Sequence, residues 1–158
     1  MAMQPNSSTA PPGETGNRWR VRVYPGNLSE TASVRAHLRS DLASYDSDLV
    51  EKVAMCASEA FANAVEHSRS GEAGGGVLRA MYRTTEGRVR VVIMDDGTND
   101  AAGPSPRSPD PWDFAESGRG LMLIDALADA WGTYVVGPTV SPSSPSVLGN
   151  ATWAEFTP

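Results

Sequence analysis

The stretch SEAFANAVEHS, from Ser58 to Ser68, sets an acid, an amide and an imidazole at helical spacing: Glu59, Asn63 and His67. Around it, Val50, Val53, Ala54, Ala57, Phe61, Ala64 and Val65 fall on one apolar stripe at about 100° per residue. Asp46 and Asp48 are good caps, so the pattern predicts a helix from there to about Ser68. Glu59 and Asn63 are offset by about 40° and about 6 Å along that helix, so both can reach one ligand. Glu66 joins them on the polar side. The same pattern describes an ordinary solvated face, and the rest of the chain has to decide. His67 lies off that face near the helix end, where contact with terminal carbonyls or packing is expected before catalysis.

Toward the N-terminus, WRVRVYP alternates apolar and basic residues and predicts a strand burying Trp19, Val21 and Val23. Asn27 and Ser29 are caps for a helix over SETASVRAHLRSDLASY, on which His37 reads as a surface residue. Toward the C-terminus, SGEAGGG breaks the chain. VLRAMYRTTEGRVRVVIMDDG then predicts a β-hairpin with Val89, Val91 and Ile93 on one face. TNDAAGPSPRSPDPWDFAESG is a loop of about 20 residues, a length typical of lids, binding loops or disorder. RGLMLIDALADAW predicts a helix with Leu121, Ile124, Leu127, Ala128 and Trp131 along one side. GTYVVG, the loop PTVSPSSPSVLGN and the strand ATWAEFTP close the chain. The expected class is α+β: a two-layer sandwich whose mixed, mostly antiparallel sheet carries helices on one face.

Composition bounds the function. The 158 residues suit one domain, expected over 18–158, behind a disordered polar tail at 1–17. A net charge of -6, with Lys52 the only lysine, argues against a phosphate-backbone binder, so no direct nucleic-acid partner is expected. Cys56 is the only cysteine, which excludes an internal disulfide, and its apolar neighbours predict burial. MAMQPNSSTAPPGETGN has neither signal-peptide nor transit-peptide character, and no stretch approaches the roughly 20 apolar residues of a membrane span. A soluble cytoplasmic protein without membrane attachment is expected.

Two further groups bear on chemistry. Asp95-Asp96-Gly97 ends an apolar strand, where a carboxylate can accept from a ligand's amino group, although Asp-Gly is also a common turn. Gly118-Arg119-Gly120 opens the last predicted helix, where free N–H groups favour phosphate and Arg119 adds charge. A flexible hinge is the plainer reading of that segment. It follows a loop and lacks the third glycine of a dinucleotide fingerprint.

Taken in order, EAFANAVEHS, VVIMDDG, GRGLMLIDALADAWG and the terminal GNATWAEF resemble the Bergerat-fold ATPase superfamily of gyrase, histidine kinases and MutL. The resemblance is closest to the anti-sigma-factor serine/threonine kinases of the RsbW/SpoIIAB type, in versions common among actinobacteria, over roughly residues 19–157. It implies ATP and Mg²⁺ as cofactors, with Glu59 as general base and Asn63 as magnesium ligand. It implies that Asp95 reads the adenine amino group beside Gly97, and that Gly118, Arg119 and Gly120 meet the phosphates. The lid would run from about 98 to 117.

The implied activity is serine/threonine phosphorylation of a STAS-domain antagonist, sequestration of a sigma factor, or both, in a chain able to form homodimers. The sequence departs from the family at Asn99, where a glycine is usual, and at Glu116, where some relatives carry a basic residue that Arg119 or Arg107 would have to replace. The threonine that supports the adenine-binding aspartate is either lost at Ala151 or shifted to Thr152. These changes motivate a second reading, a non-catalytic regulatory binding module of the same fold. A free-standing histidine kinase is disfavoured, because His37 lacks the context of a phosphoacceptor.

Overall fold

The computed structural model describes residues 18–97, 114–136 and 149–158. The expected tail at 1–17, residues 98–113 of the expected lid (with Asn99 and Arg107) and residues 137–148 lie outside the described residues. The order is β1 (Arg22–Pro25), α1 (Thr31–Asp41), α2 (Ser47–His67), β2 (Gly76–Arg83), β3 (Val89–Met94), α3 (Phe114–Leu127), β4 (Ala130–Val136) and β5 (Gly149–Phe156). Single 3-10 turns occupy Leu28–Glu30 and Arg69–Gly71. The sheet order is β1-β2-β3-β5-β4. All of its pairings are antiparallel, so the expected α+β class holds while the mixed element of that expectation does not appear among the described residues.

Side-chain alternation sends Val77 and Met81 of β2, Val89, Val91 and Ile93 of β3, and Ala154 and Phe156 of β5 into the layer of helices. There they meet Val34 and Leu38 of α1, Val53 and Phe61 of α2, and Ile124 of α3. The opposite face gathers Tyr82, Val92 and Ala151 under Trp153 and Tyr134. Its polar centre is a cross-strand row: Tyr82 faces Arg90, and Arg90 faces Glu155. Arg90 donates from Nε to Glu155 at 2.7 Å and lies 4.5 Å from the centroid of the Trp153 ring. A guanidinium held on both sides in this way can be buried within a sheet face.

Helix α2 is the spine of the helical layer. Asp46 caps it, its Oδ2 accepting from Asp48 N at 3.1 Å. The apolar stripe is buried as its spacing predicts, apart from the half-buried Val65. Cys56 is buried too, and desolvation, with the nearby Glu59 charge adding to it, pushes its thiol up to about 12. Such a thiol is inert near neutral pH.

Four further expectations change. At β1 and the residue before it the expected inner face is the outer one: Val21 and Val23 are 53% and 70% exposed, whereas Tyr24 is buried. Alternation reveals two faces but not which one will be covered. Here partners decide it, because Tyr24 Oη lies 3.0 Å from His37 Nδ1 and Arg22 pairs with Asp41 at 3.4 Å. His37 is therefore a partner of the first strand, not a free surface residue. Helix α1 stops at Asp41 instead of continuing toward Tyr45. An acid at a helix C-terminus opposes the helix dipole, and this one is turned toward the fully buried Arg79, which it meets at 2.6 Å. Helix α3 begins at Phe114 and ends at Leu127, leaving Trp131 in β4.

Candidate functional site

The site is assembled from α2, the end of β3 and the start of β5. Glu59 and Asn63 are half-buried, more enclosed than the solvated face suggested by their spacing, while Glu66 and His67 are exposed. The Glu59 and Asn63 side chains have no hydrogen-bond or ion-pair partner among the described residues. Among the described residues His67 makes no hydrogen bond to a terminal carbonyl, and it lies 3.9 Å from Glu66. Just before Glu59, buried Ser58 donates to Ala54 O at 2.6 Å and accepts from Arg35 Nε at 2.8 Å. That contact fixes α1 against the working face of α2.

Asp95 is held from two sides. Its Oδ1 accepts from Gly97 N at 2.7 Å and from Asn150 N at 2.9 Å, and its own N–H donates to Asn150 O at 2.9 Å. Oδ2 has no partner among the described residues, so the carboxylate presents one open acceptor. Gly97 has φ 79°, a left-handed conformation suited to glycine. At Gly149 a Cβ would come 2.0 Å from Asp95 O, so the first residue of β5 has to be glycine for the two backbones to meet. This approach welds β5 to the Asp95 turn.

The strand register settles which residue of β5 shares a face with Asp95. Ala151 is fully buried in the outer cluster with Val92 and Tyr82. Thr152 alternates to the side of Ala154 and Phe156 and pairs in register with Ile93, two residues before Asp95. Of the two, Thr152 is the one that lies on the inner side of the sheet.

Sequence reasoning missed Arg69 and Ser70, which brace the turn from the end of α2. Arg69 N donates to Gly97 O at 2.7 Å, and its guanidinium donates twice to Asp96 O, at 3.1 and 2.8 Å. Ser70 Oγ accepts from Asp96 N at 2.9 Å and donates to Gly76 O at 2.8 Å. The signal was present as Ser-Arg-Ser directly after the helix, but hydroxyl and cationic residues there also serve as ordinary helix stops. An open polar depression of about 310 Å³ borders this brace, lined by Arg69, Glu72, Ala73, Gly74, Gly75 and Asp96. Neither Glu59 nor Asn63 lines it.

The early start of α3 corrects the reading of Gly118-Arg119-Gly120. The backbone N–H groups lacking a partner within a helix are those of its first four residues. Here these are residues 114–117, so Gly118, Arg119 and Gly120 lie inside the helix and not at its entry. Glycine costs about 1 kcal/mol against alanine in a helix, which makes this end of α3 the weaker one. Residues 114–117, expected to close the lid, are likewise helical.

For a divalent cation the donor set is small. No group of three or more His, Cys, Asp or Glu residues is placed to hold a metal among the described residues. The unpartnered Asn63 amide oxygen fits an ion that keeps its waters and takes its other ligands from a phosphate chain, as Mg²⁺ does. Also among the described residues, no helix is long and apolar enough to cross a membrane.

Comparison with known proteins agrees with this geometry. The family model of the histidine kinase-like ATPase domain matches residues 24–140. The serine-protein kinase RsbW of several Staphylococcus aureus strains is 30% identical over 94 residues, which is 55% of this chain and 58% of the relative. The chain thus spans a little over half the length of these curated relatives. A solved structure of the RsbU and RsbW domains of a Mycobacterium tuberculosis protein superposes with a TM-score of 0.56 at 20% identity. It covers 87% of this chain and 32% of that one, a likeness of fold.

Proposed function

The chain belongs to the histidine kinase-like ATPase domain family, and from that premise we propose that it transfers the γ-phosphoryl group of ATP to a serine or threonine hydroxyl of a protein partner. The observation that carries this reading is the pair Glu59 and Asn63, half-buried and without a partner among the described residues, on the helix whose end is tied to the Asp95 turn. Polar groups left half-enclosed and unpaired are what a ligand site requires. Asp95 Oδ2 takes the adenine amino group, Thr152 supports it, and the segment Gly118 to Gly120 approaches the phosphates. Asn63 would hold Mg²⁺, which when bound supplies charge neutralisation at the phosphate oxygens.

Glu59 removes the proton of the attacking hydroxyl. The hydroxyl oxygen bonds to the γ-phosphorus, the bond from that phosphorus to the β,γ-bridging oxygen breaks, and ADP leaves. The partners proposed on the RsbW likeness are a STAS-domain antagonist as phosphoacceptor and a sigma factor held in its absence, with a homodimer as the working form. The whole is cytoplasmic.

The test is incubation with labelled ATP and Mg²⁺ beside STAS-domain proteins of the same organism. Label on an antagonist serine or threonine is the expected result, and ATP binding without transfer favours a regulatory module of the same fold. That second reading draws support from α3, which begins at Phe114 and so takes up the N–H groups of Gly118, Arg119 and Gly120 within the helix.

Thr152→Val tests the support position. Loss of one hydroxyl contact of about 1 kcal/mol should weaken ATP by roughly fivefold in calorimetry without changing the fold. Undiminished affinity would remove Thr152 from the site.

A further inference from the structure

We infer that Arg69 and Ser70 are positioning residues that make the Asp95 carboxylate selective for a base bearing an amino group. The inference rests on the proposed nucleotide site and goes beyond it by naming what holds the recognising group still. Almost every backbone polar group of the turn is accounted for. Asp95 N bonds to Asn150 O, Asp96 N to Ser70 Oγ, Asp96 O to the Arg69 guanidinium, Gly97 N to Asp95 Oδ1 and Gly97 O to Arg69 N. Asp95 O faces the backbone of Gly149.

Three of these five bonds come from Arg69 and Ser70. Ser70 is fully buried. It is fixed in turn by Ser68, whose Oγ accepts from Ser70 N at 3.0 Å and donates to Ala64 O on the last turn of α2. The neighbouring backbone leaves no slack. A Cβ at Gly26 would lie 1.5 Å from Ser70 O, and one at Gly75 would lie 2.2 Å from the same atom. The brace therefore couples the end of α2, which carries Asn63, to the carboxylate at the end of β3.

The chemical consequence is discrimination. With Oδ1 saturated by two N–H donors, Asp95 meets a ligand through one acceptor in one direction. An adenine amino group donates to it, whereas the oxo group of guanine places two acceptors face to face. A carboxylate free to swing can avoid that clash; a braced one cannot. Sites built to pair one polar group reject ligands lacking it by large factors.

The experiment compares ATP, GTP and inorganic tripolyphosphate, each with Mg²⁺, on wild type, Arg69→Ala and Arg69→Lys by calorimetry. Hydrogen exchange of the Gly97 and Asn150 amides is followed in parallel. The wild type should prefer ATP over GTP. In Arg69→Ala that preference should fall by roughly tenfold or more, through weaker ATP binding and not through stronger tripolyphosphate binding, and the two amides should exchange faster. Arg69→Lys, which keeps one donor for Asp96 O, should fall between. If the wild type prefers ATP and Arg69→Ala keeps that preference while folded, the inference is overturned alone. If the wild type shows no adenine preference, the nucleotide reading beneath it is overturned.

Discussion

Replacing Glu59 by alanine is expected to slow phosphoryl transfer by about 10²–10⁴-fold, the usual worth of a positioned general base. ATP affinity should change by less than about threefold, because a group acting mainly on the attacking hydroxyl contributes mostly in the transition state. The structure gives a reason to expect a clean result. Glu59 is half-buried and has no protein partner among the described residues, so its removal strands no buried polar group. Glu59→Gln should behave alike, since it keeps the shape and loses the base. Single-turnover transfer from labelled ATP, run beside calorimetric titration and a thermal melt, reads all three quantities. Retained transfer at the wild-type rate would sink the proposed base.

The largest expected loss of stability lies elsewhere, beneath β1. Asp41 is 15% exposed and meets the side chain of Arg79, which is 0% exposed, at 2.6 Å, with Arg22 on its other oxygen. Arg79 also donates to Arg20 O at 3.2 Å, while its Nε and Nη1 have no partner among the described residues. Removing the carboxylate leaves a buried guanidinium without compensation, a change that costs about 3–5 kcal/mol. Asp41→Ala should therefore lower the melting temperature by on the order of 10 °C. Restoring most of that loss by adding Arg79→Met would identify the stranded charge as the cause, and an unaltered melt in the single variant would refute it.

The pH dependence has a definite sign. Burial works against ionisation of Asp41, but the hydrogen bonds and charges of Arg79 and Arg22 outweigh it and hold the carboxyl below its ordinary value. A depressed carboxyl stabilises the fold above the unfolded value of about 4 and loses that contribution as pH falls through the lower folded value. Urea melts from pH 7 into the acid range should show this step in the wild type and a smaller one in Asp41→Asn.

Much of the fold was legible because its signals are local. The α2 stripe, the Asp46 cap and the Val89, Val91 and Ile93 alternation each depend on residues close in sequence, and each stands in the structure. Three of the errors have a common origin. The inner face of β1, the end of α1 and the role of His37 all depend on partners 13 to 38 residues away in sequence. Polar residues facing one another across layers carry no periodicity of their own. The start of α3 was misplaced for a different reason, because glycines at 118 and 120 read as an entry while the helix runs through them.

The sequence by itself determined the helix carrying Glu59 and Asn63, the strand ending at Asp95 and the order of the elements, since hydrophobic period and caps act within a few residues. Only the tertiary structure decided that Thr152 and not Ala151 shares the Asp95 side, because strand register is a property of pairing. It alone brought Arg69 and Ser70 to the backbone of Asp96, 26 to 27 residues further along the chain. And it alone showed that Glu59 and Asn63, on the polar side of α2, are half-enclosed with no partner among the described residues. Enclosure depends on what packs nearby, and no window of sequence around SEAFANAVEHS contains that.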